Sequence, residues 1–119
     1  MTYCVHFIFH RQRLLLLKRK NTNPFFPNIW TPIIGKIKHN EKPNDAVLRE
    51  TKEETGLEIV TPYYIKQLEN KGDTYWFYQS KTHTTSISLN HENDKFDFFN
   101  LSQLPDSLWQ LFKEVIKEC

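Results

Sequence analysis

Glycine is scarce in this 119-residue sequence, with three in all, and the two cysteines, Cys4 and Cys119, stand near opposite ends. So few glycines beside six prolines exclude a fibrous repeat and a low-complexity disordered tract. Two distant cysteines, with no CxxC pair and no partnering histidine cluster, point away from a disulfide scaffold or a thiolate zinc site and suit a reduced, cytoplasmic setting. Long apolar runs are missing too. No purely apolar stretch exceeds the four residues Leu14 to Leu17, against the ~20 residues that a membrane-crossing helix needs, and no charged-then-apolar leader opens the chain. An excess of one charge is also absent. Sixteen Lys and Arg against fourteen Asp and Glu leave a net charge of +2, which gives no general pull toward long nucleic acid or an anionic membrane. Any affinity for phosphate must therefore be local.

What is present, 39% apolar and 14% aromatic residues, suits a single domain over residues 1–119, with a core that needs no metal or disulfide to fold. Thr2 to Phe9 and Leu14 to Leu17, on either side of His10-Arg11-Gln12-Arg13, predict a hairpin. Residues 20–31 are dense in turn formers yet carry Phe25, Phe26 and Trp30, and Ile33-Ile34 predicts a short strand ending at Gly35. From Pro43 the period changes. Ala46, Val47 and Thr51 fall on one side, Gly56 is a stop, and a helix is predicted over 43–55. Alternation predicts strands near 63–69, 74–80, 84–89 and 95–99, and the spacing of Leu108, Leu111, Phe112, Val115 and Ile116 predicts a helix within 106–117. The order β-β-β-α-β-β-β-β-α implies an α+β fold with a mixed sheet flanked by helices.

The sharpest feature is Arg49-Glu50-Thr51-Lys52-Glu53-Glu54. On a helix, positions i, i+3 and i+4 share a sector roughly 100° wide, so Glu50, Glu53 and Glu54 are expected to converge. Like charges at that spacing destabilise a helix by a few tenths of a kcal/mol per pair, so the cluster needs solvent or a counter-ion, and hard cations such as Mg²⁺ take oxygen ligands of this kind. Arg49 and Lys52 would offset a merely solvated acidic patch equally well. Upstream, Gly35 lets the backbone approach a ligand closely, and its neighbourhood offers a carbonyl oxygen to the same cation.

Gly35, five residues, Glu41, seven residues and then Arg49 to Leu57 closely resemble the Nudix box of the nucleoside-diphosphate-linked phosphohydrolases. The motif covers 23 residues with every fixed Gly, Glu and Arg filled, and the flanking elements match that family's α/β/α sandwich. Two departures stand out. Thr51 replaces an aliphatic residue, and Ile34, Lys38 and Asn40 replace Gly, an acid and Gly in the loop. Asn tolerates the left-handed conformation, whereas Lys38 brings a positive charge toward the expected metals.

The resemblance implies that Glu53 and Glu54 ligate Mg²⁺ or Mn²⁺, with Glu50 a further ligand or the base, the Gly35 carbonyl in reach, and Arg49 orienting the set, chiefly by pairing with Glu53. Glu41 reads as structural. Relatives carry a further carboxylate ahead of a late strand. Glu92, six residues before Phe98, is the candidate for that base, with Asp94 second and a plain turn residue the alternative. Lys18 and Arg19 suit phosphate oxygens or plain exposure at a strand end; Trp30, Phe25 and Phe26 suit base stacking or the core. His6, His10, His39, His83 and His91 share no metal-ligand spacing and read as structural or solvated, and Trp109 reads as packing. The implied activity is a Mg²⁺-dependent nucleotide pyrophosphohydrolase acting on a nucleoside triphosphate or related small-molecule derivative. A dihydroneopterin-triphosphate or dinucleoside-polyphosphate hydrolase, RNA 5′-pyrophosphate removal, and a catalytically silent nucleotide-binding module are the alternatives.

Overall fold

The computed structural model describes residues 1–24 and 26–119. Its elements are β1 (Thr2–His10), β2 (Arg13–Arg19), β3 (Trp30–Thr31), β4 (Ile33–Lys36), α1 (Pro43–Thr55), β5 (Tyr63–Asn70), β6 (Asp73–Lys81), β7 (Asn93–Phe99) and α2 (Gln110–Ile116). Strand β1 is the spine of the sheet. It pairs in parallel with β6 from Thr2↔Thr74 to Phe9↔Lys81, and β6 pairs antiparallel with β5. On its other edge β1 meets β2 only at Phe9↔Leu14 and His10↔Arg13, so β2 diverges and the wedge is filled by β4 against β1 and β3 against β2. Pro32, without an N–H to donate, marks the crossing from β3 to β4. Strand β2 continues outward to β7. The hairpin reverses at Arg11 and Gln12, both left-handed at φ 49° and 67°, the two-residue turn whose twist matches the flanking strands.

Alternation along β2 divides the interior. Leu14 and Leu16 join Val5, Phe7, Ile34 and Phe77 beneath Phe112, Val115 and Ile116 of α2. Leu15 and Leu17 join Ile8, Ile33 and Leu57 on the opposite face, next to Cys4 and Tyr78 under Ala46 and Val47 of α1. A mixed sheet thus lies between two helical layers, as expected.

Three expectations are corrected. Residues 84–89 form no strand. The Thr84 N–H donates to Thr82 Oγ1 (3.3 Å) and the Ser86 N–H to Thr84 Oγ1 (3.0 Å), so hydroxyls take up the amides that a ladder would use. The alternation there instead records Ile87 and Leu89 packing against the Leu15–Leu17 cluster, with the Ser88 N–H on Thr55 O at 2.8 Å. Trp30–Thr31 is a strand that the turn-rich composition hid. Helix α2 starts only at Gln110, because a turn from Pro105 O to the Leu108 N–H (3.1 Å) drives Leu108 into the core first.

Helix α1 is fixed to the sheet by a buried polar bridge. Thr51 Oγ1 donates to Val47 O at 2.7 Å, so the His6 Nδ1–H must donate to Thr51 Oγ1 (2.7 Å) while Nε2 accepts from Ser80 Oγ (2.6 Å). The ring is neutral and structural, and its burial pushes the pKa down to about 3. Because the unfolded chain takes up a proton near the ordinary value of about 6.5 and the native ring does not, this contribution is whole above pH 6.5 and is lost as the pH falls toward 3. Urea unfolding between pH 4 and 6 is expected to show a slope steeper by about 1.4 kcal/mol per pH unit in the wild type than in His6→Gln. Equal slopes would contradict the neutral bridge.

Candidate active site

Pro43 opens α1 at its first turn, and Gly56, left-handed at φ 76°, closes it with its N–H on Lys52 O at 2.9 Å. Between them, i, i+4 rows place Val47, Thr51 and Thr55 over the sheet and Ala46, Glu50 and Glu54 beside them. The departure at Thr51 is absorbed, because its hydroxyl turns back to the helix and its side chain is fully buried. Asn40, at φ 63°, supplies the left-handed turn expected of it.

Glu54 is 1% exposed, neither carboxylate oxygen accepts an N–H or hydroxyl donor from the described residues, and its carboxyl lies within hydrogen-bonding reach of that of Glu50. Burial first, and then the charge of Glu50, holds its carboxyl well above the usual range; burial also raises Glu50. Glu50 reaches this position because Gly35 has no side chain: a Cβ there would overlap the Glu50 carboxyl group. Gly35 is therefore needed for close approach rather than for a left-handed backbone. Its carbonyl accepts from Cys4 Sγ at 3.6 Å, and burial together with the Glu50 charge pushes that thiol up to about 12.

Arg49 gathers the remaining acids, but its main partner is not Glu53. Its guanidinium forks onto Glu41 (Nε to Oε2 2.8 Å, Nη2 to Oε1 3.0 Å), while Nη1 donates to Glu50 Oε1 at 2.8 Å and to Glu53 Oε2 at 3.3 Å. Glu41 thus reads as structural, and the fork holds its carboxyl down to about 2. Glu53, half exposed, stays at the rim. The three α1 carboxylates accordingly grade from the buried Glu54 through the partly buried Glu50 to Glu53 at the rim. Among the described residues no three His, Cys, Asp or Glu side chains form a closed metal-holding group.

Arg19 is not the exposed strand-end charge its position suggested. It is 2% exposed, with Nη1 3.8 Å from Glu54 Oε1 and Nη2 3.4 Å from Glu92 Oε2. A bulge brings this about. The β2–β7 register passes from Lys18↔Lys95 to Arg19↔Asn93, leaving Asp94 as the exposed extra residue and setting buried Asn93 opposite Arg19. Glu92 is anchored just beyond, its carbonyl accepting the Lys20 N–H at 3.1 Å. The structure therefore brings Glu92 to the carboxylate face. It does not bring Lys18 or Trp30. Alternation assigns Lys18 to the α2 face, and Trp30 packs there, edge-on to Phe99 at 5.0 Å. Phe26 lies 5.7 Å from Trp109, also on that side, and Phe25 lies outside the described residues. A cleft of about 1400 Å³ near the β1–β2 turn, lined by His10, Tyr63, Thr82 and Leu101 among others, contains none of the candidate residues.

No spacing rule could have joined Arg19 to Glu54 and Glu92, which lie 35 and 73 positions away. The one local sign was a charged residue ending an apolar strand. Asn93 was missed altogether, since its burial follows from the bulge.

Chemically, an oxygen-only donor set with undonated buried carboxylate oxygens suits a hard divalent cation. The sequence matches the NUDIX domain over residues 2–119. It is 48% identical to the m7GpppN-mRNA hydrolase NUDT17 of Danio rerio over 40% of this chain and 16% of that protein. It is 29% identical to the asymmetrical bis(5'-nucleosyl)-tetraphosphatase of Mus musculus over 62% of this chain and 57% of that protein. Both shares fall below two thirds of the relatives' own lengths. In fold, the MutT protein of Methanosarcina mazei Go1 superposes at a TM-score of 0.88 with 21% identity, over 98% of this chain and 90% of that one. A C. elegans Ap4A hydrolase does so at 0.79 with 20% identity, over 98% and 93%. With the domain match running from Thr2 to the last residue and the box residues seated as described, this chain belongs to the NUDIX domain family.

Proposed function

We propose that the chain is a divalent-cation-dependent hydrolase of the diphosphate linkage in a nucleoside triphosphate or related nucleotide derivative. Glu54 carries this reading: a carboxylate 1% exposed, with no N–H or hydroxyl donor among the described residues and within hydrogen-bonding reach of Glu50, is costly to keep charged unless a proton or a cation joins it. Glu50, Glu53, Glu54 and the Gly35 carbonyl would hold Mg²⁺ or Mn²⁺. When bound, such an ion neutralises the diphosphate and activates water. Arg49 keeps Glu50 and Glu53 in position by sharing one nitrogen between them. Glu92, with Oε2 turned to Arg19, takes the proton of the attacking water at Oε1 as the new phosphorus–oxygen bond forms and the bridging bond breaks. A dinucleoside polyphosphate is the second substrate reading, favoured by the names of the Mus musculus and C. elegans proteins.

Phosphate release and product identification across nucleoside triphosphates, dinucleoside polyphosphates and capped dinucleotides, with Mg²⁺, test the proposal. Turnover is expected to vanish on chelation, to return with excess Mg²⁺, and to fall on the order of 10²-fold or more in Glu53→Gln and Glu54→Gln. Absence of metal-dependent turnover on every compound would overturn it.

Gly35→Ala supplies a separate check. Its Cβ would displace the Glu50 carboxyl, so Mn²⁺ affinity is expected to drop roughly 10-fold or more, with a stability loss of about 1–3 kcal/mol from overpacking. Wild-type Mn²⁺ binding in this variant, measured by titration, would remove Glu50 from the ligand set.

A further inference from the structure

We propose that Arg19 is a positioning residue: its fork holds the loop carboxylate of Glu92 against the buried carboxylate of Glu54, so that the two act as one site. The inference rests on the hydrolase reading for what that site does, and goes beyond it in reassigning Arg19 from a phosphate contact to a strut.

Three observations carry it. Arg19 is 2% exposed, so its guanidinium is turned inward rather than toward a diffusing substrate. Its two terminal nitrogens are divided between acids from different elements, Glu54 of α1 at 3.8 Å and Glu92 of the segment before β7 at 3.4 Å. The bulge at Asp94 breaks the β2–β7 register at that point, and bulges beside sites serve to re-aim side chains. Glu92 otherwise has little to fix its side chain, which is 39% exposed; its anchors are backbone contacts, the N–H to Asn90 Oδ1 at 3.1 Å and the carbonyl from Lys20. A planar guanidinium spans two carboxylates at once. A lysine ammonium is a point charge without that fork.

Arg19→Lys, Glu92→Gln and the double variant form the test, each read by kcat and KM on the best substrate of the panel and by Mn²⁺ titration without substrate. If Arg19 acts through Glu92, Arg19→Lys lowers kcat about 10- to 100-fold with KM within threefold, weakens Mn²⁺ binding, and adds nothing further in the double variant beyond Glu92→Gln. Losses that multiply in the double variant would overturn the proposal. So would a raised KM at unchanged kcat in Arg19→Lys, which would return Arg19 to substrate phosphate. Should Arg19→Lys lack a cooperative unfolding transition, Arg19→Gln, which keeps a planar donor, replaces it in the same cycle; failure of both to fold assigns Arg19 to the core and overturns the proposal. A wild type that turns over no compound defeats the hydrolase reading alone, since the Mn²⁺ titrations still report whether Arg19 and Glu92 act together.

Discussion

Glu54 is buried on the sheet side of α1 with no N–H or hydroxyl donor on either oxygen among the described residues, and a carboxylate placed there costs several kcal/mol unless something of opposite charge stands beside it. Much of the surrounding architecture follows from that constraint. Helix α1 must sit close enough to the sheet to bury the residue, which the His6 bridge between Thr51 and Ser80 secures. The strand beneath must leave room for the neighbouring Glu50, which Gly35 alone of the β4 residues does. A buried cation must approach from below, which the inward Arg19 provides.

The net charge of +2 hides how uneven the distribution is. Glu41, Glu50, Glu53, Glu54 and Glu92 meet two arginines, Arg49 and Arg19. Fully ionised, five acids against two bases leave an excess of three negative charges. The arginines divide the work: Arg49 ties Glu41 at the helix entrance to Glu50 and Glu53, and Arg19 lies between Glu54 and Glu92. Burial first holds the Glu50 and Glu54 carboxyls up and neighbouring acids add to it, while Arg49 and Arg19 offset the rise only in part.

Much of this was legible in the residues. Helix α1, its Pro43 and Gly56 ends and the turn at Asn40 depend on local chemistry, so the sequence predicts them well. The rest depends on what meets what across the sheet. Thr84 and Ser86 read as strand until their amides are seen to donate to the hydroxyls of Thr82 and Thr84. Lys18 and Arg19 look alike as neighbours, yet alternation sends one to the α2 face and the other to the carboxylates, and the bulge that makes Arg19 useful is a property of β7. Trp30 suited a base-stacking wall or the core, and it lies edge-on to Phe99 on the α2 side, away from the carboxylates.

The 3.8 Å between Arg19 and Glu54 bears on how such a site stays available. It is near enough for the guanidinium charge to favour the ionised carboxylate, and too long for a hydrogen bond. A closer, bidentate pairing like that of Arg49 with Glu41 would occupy the carboxylate oxygens as fully as a ligand does, and would have to be broken before an ion could bind. Charge compensation at a distance lowers the cost of burying Glu54 without using its lone pairs. Arg49 makes the tight contacts at Glu41, and Arg19 keeps a looser one at Glu54, which under the proposed function leaves that acid free to coordinate.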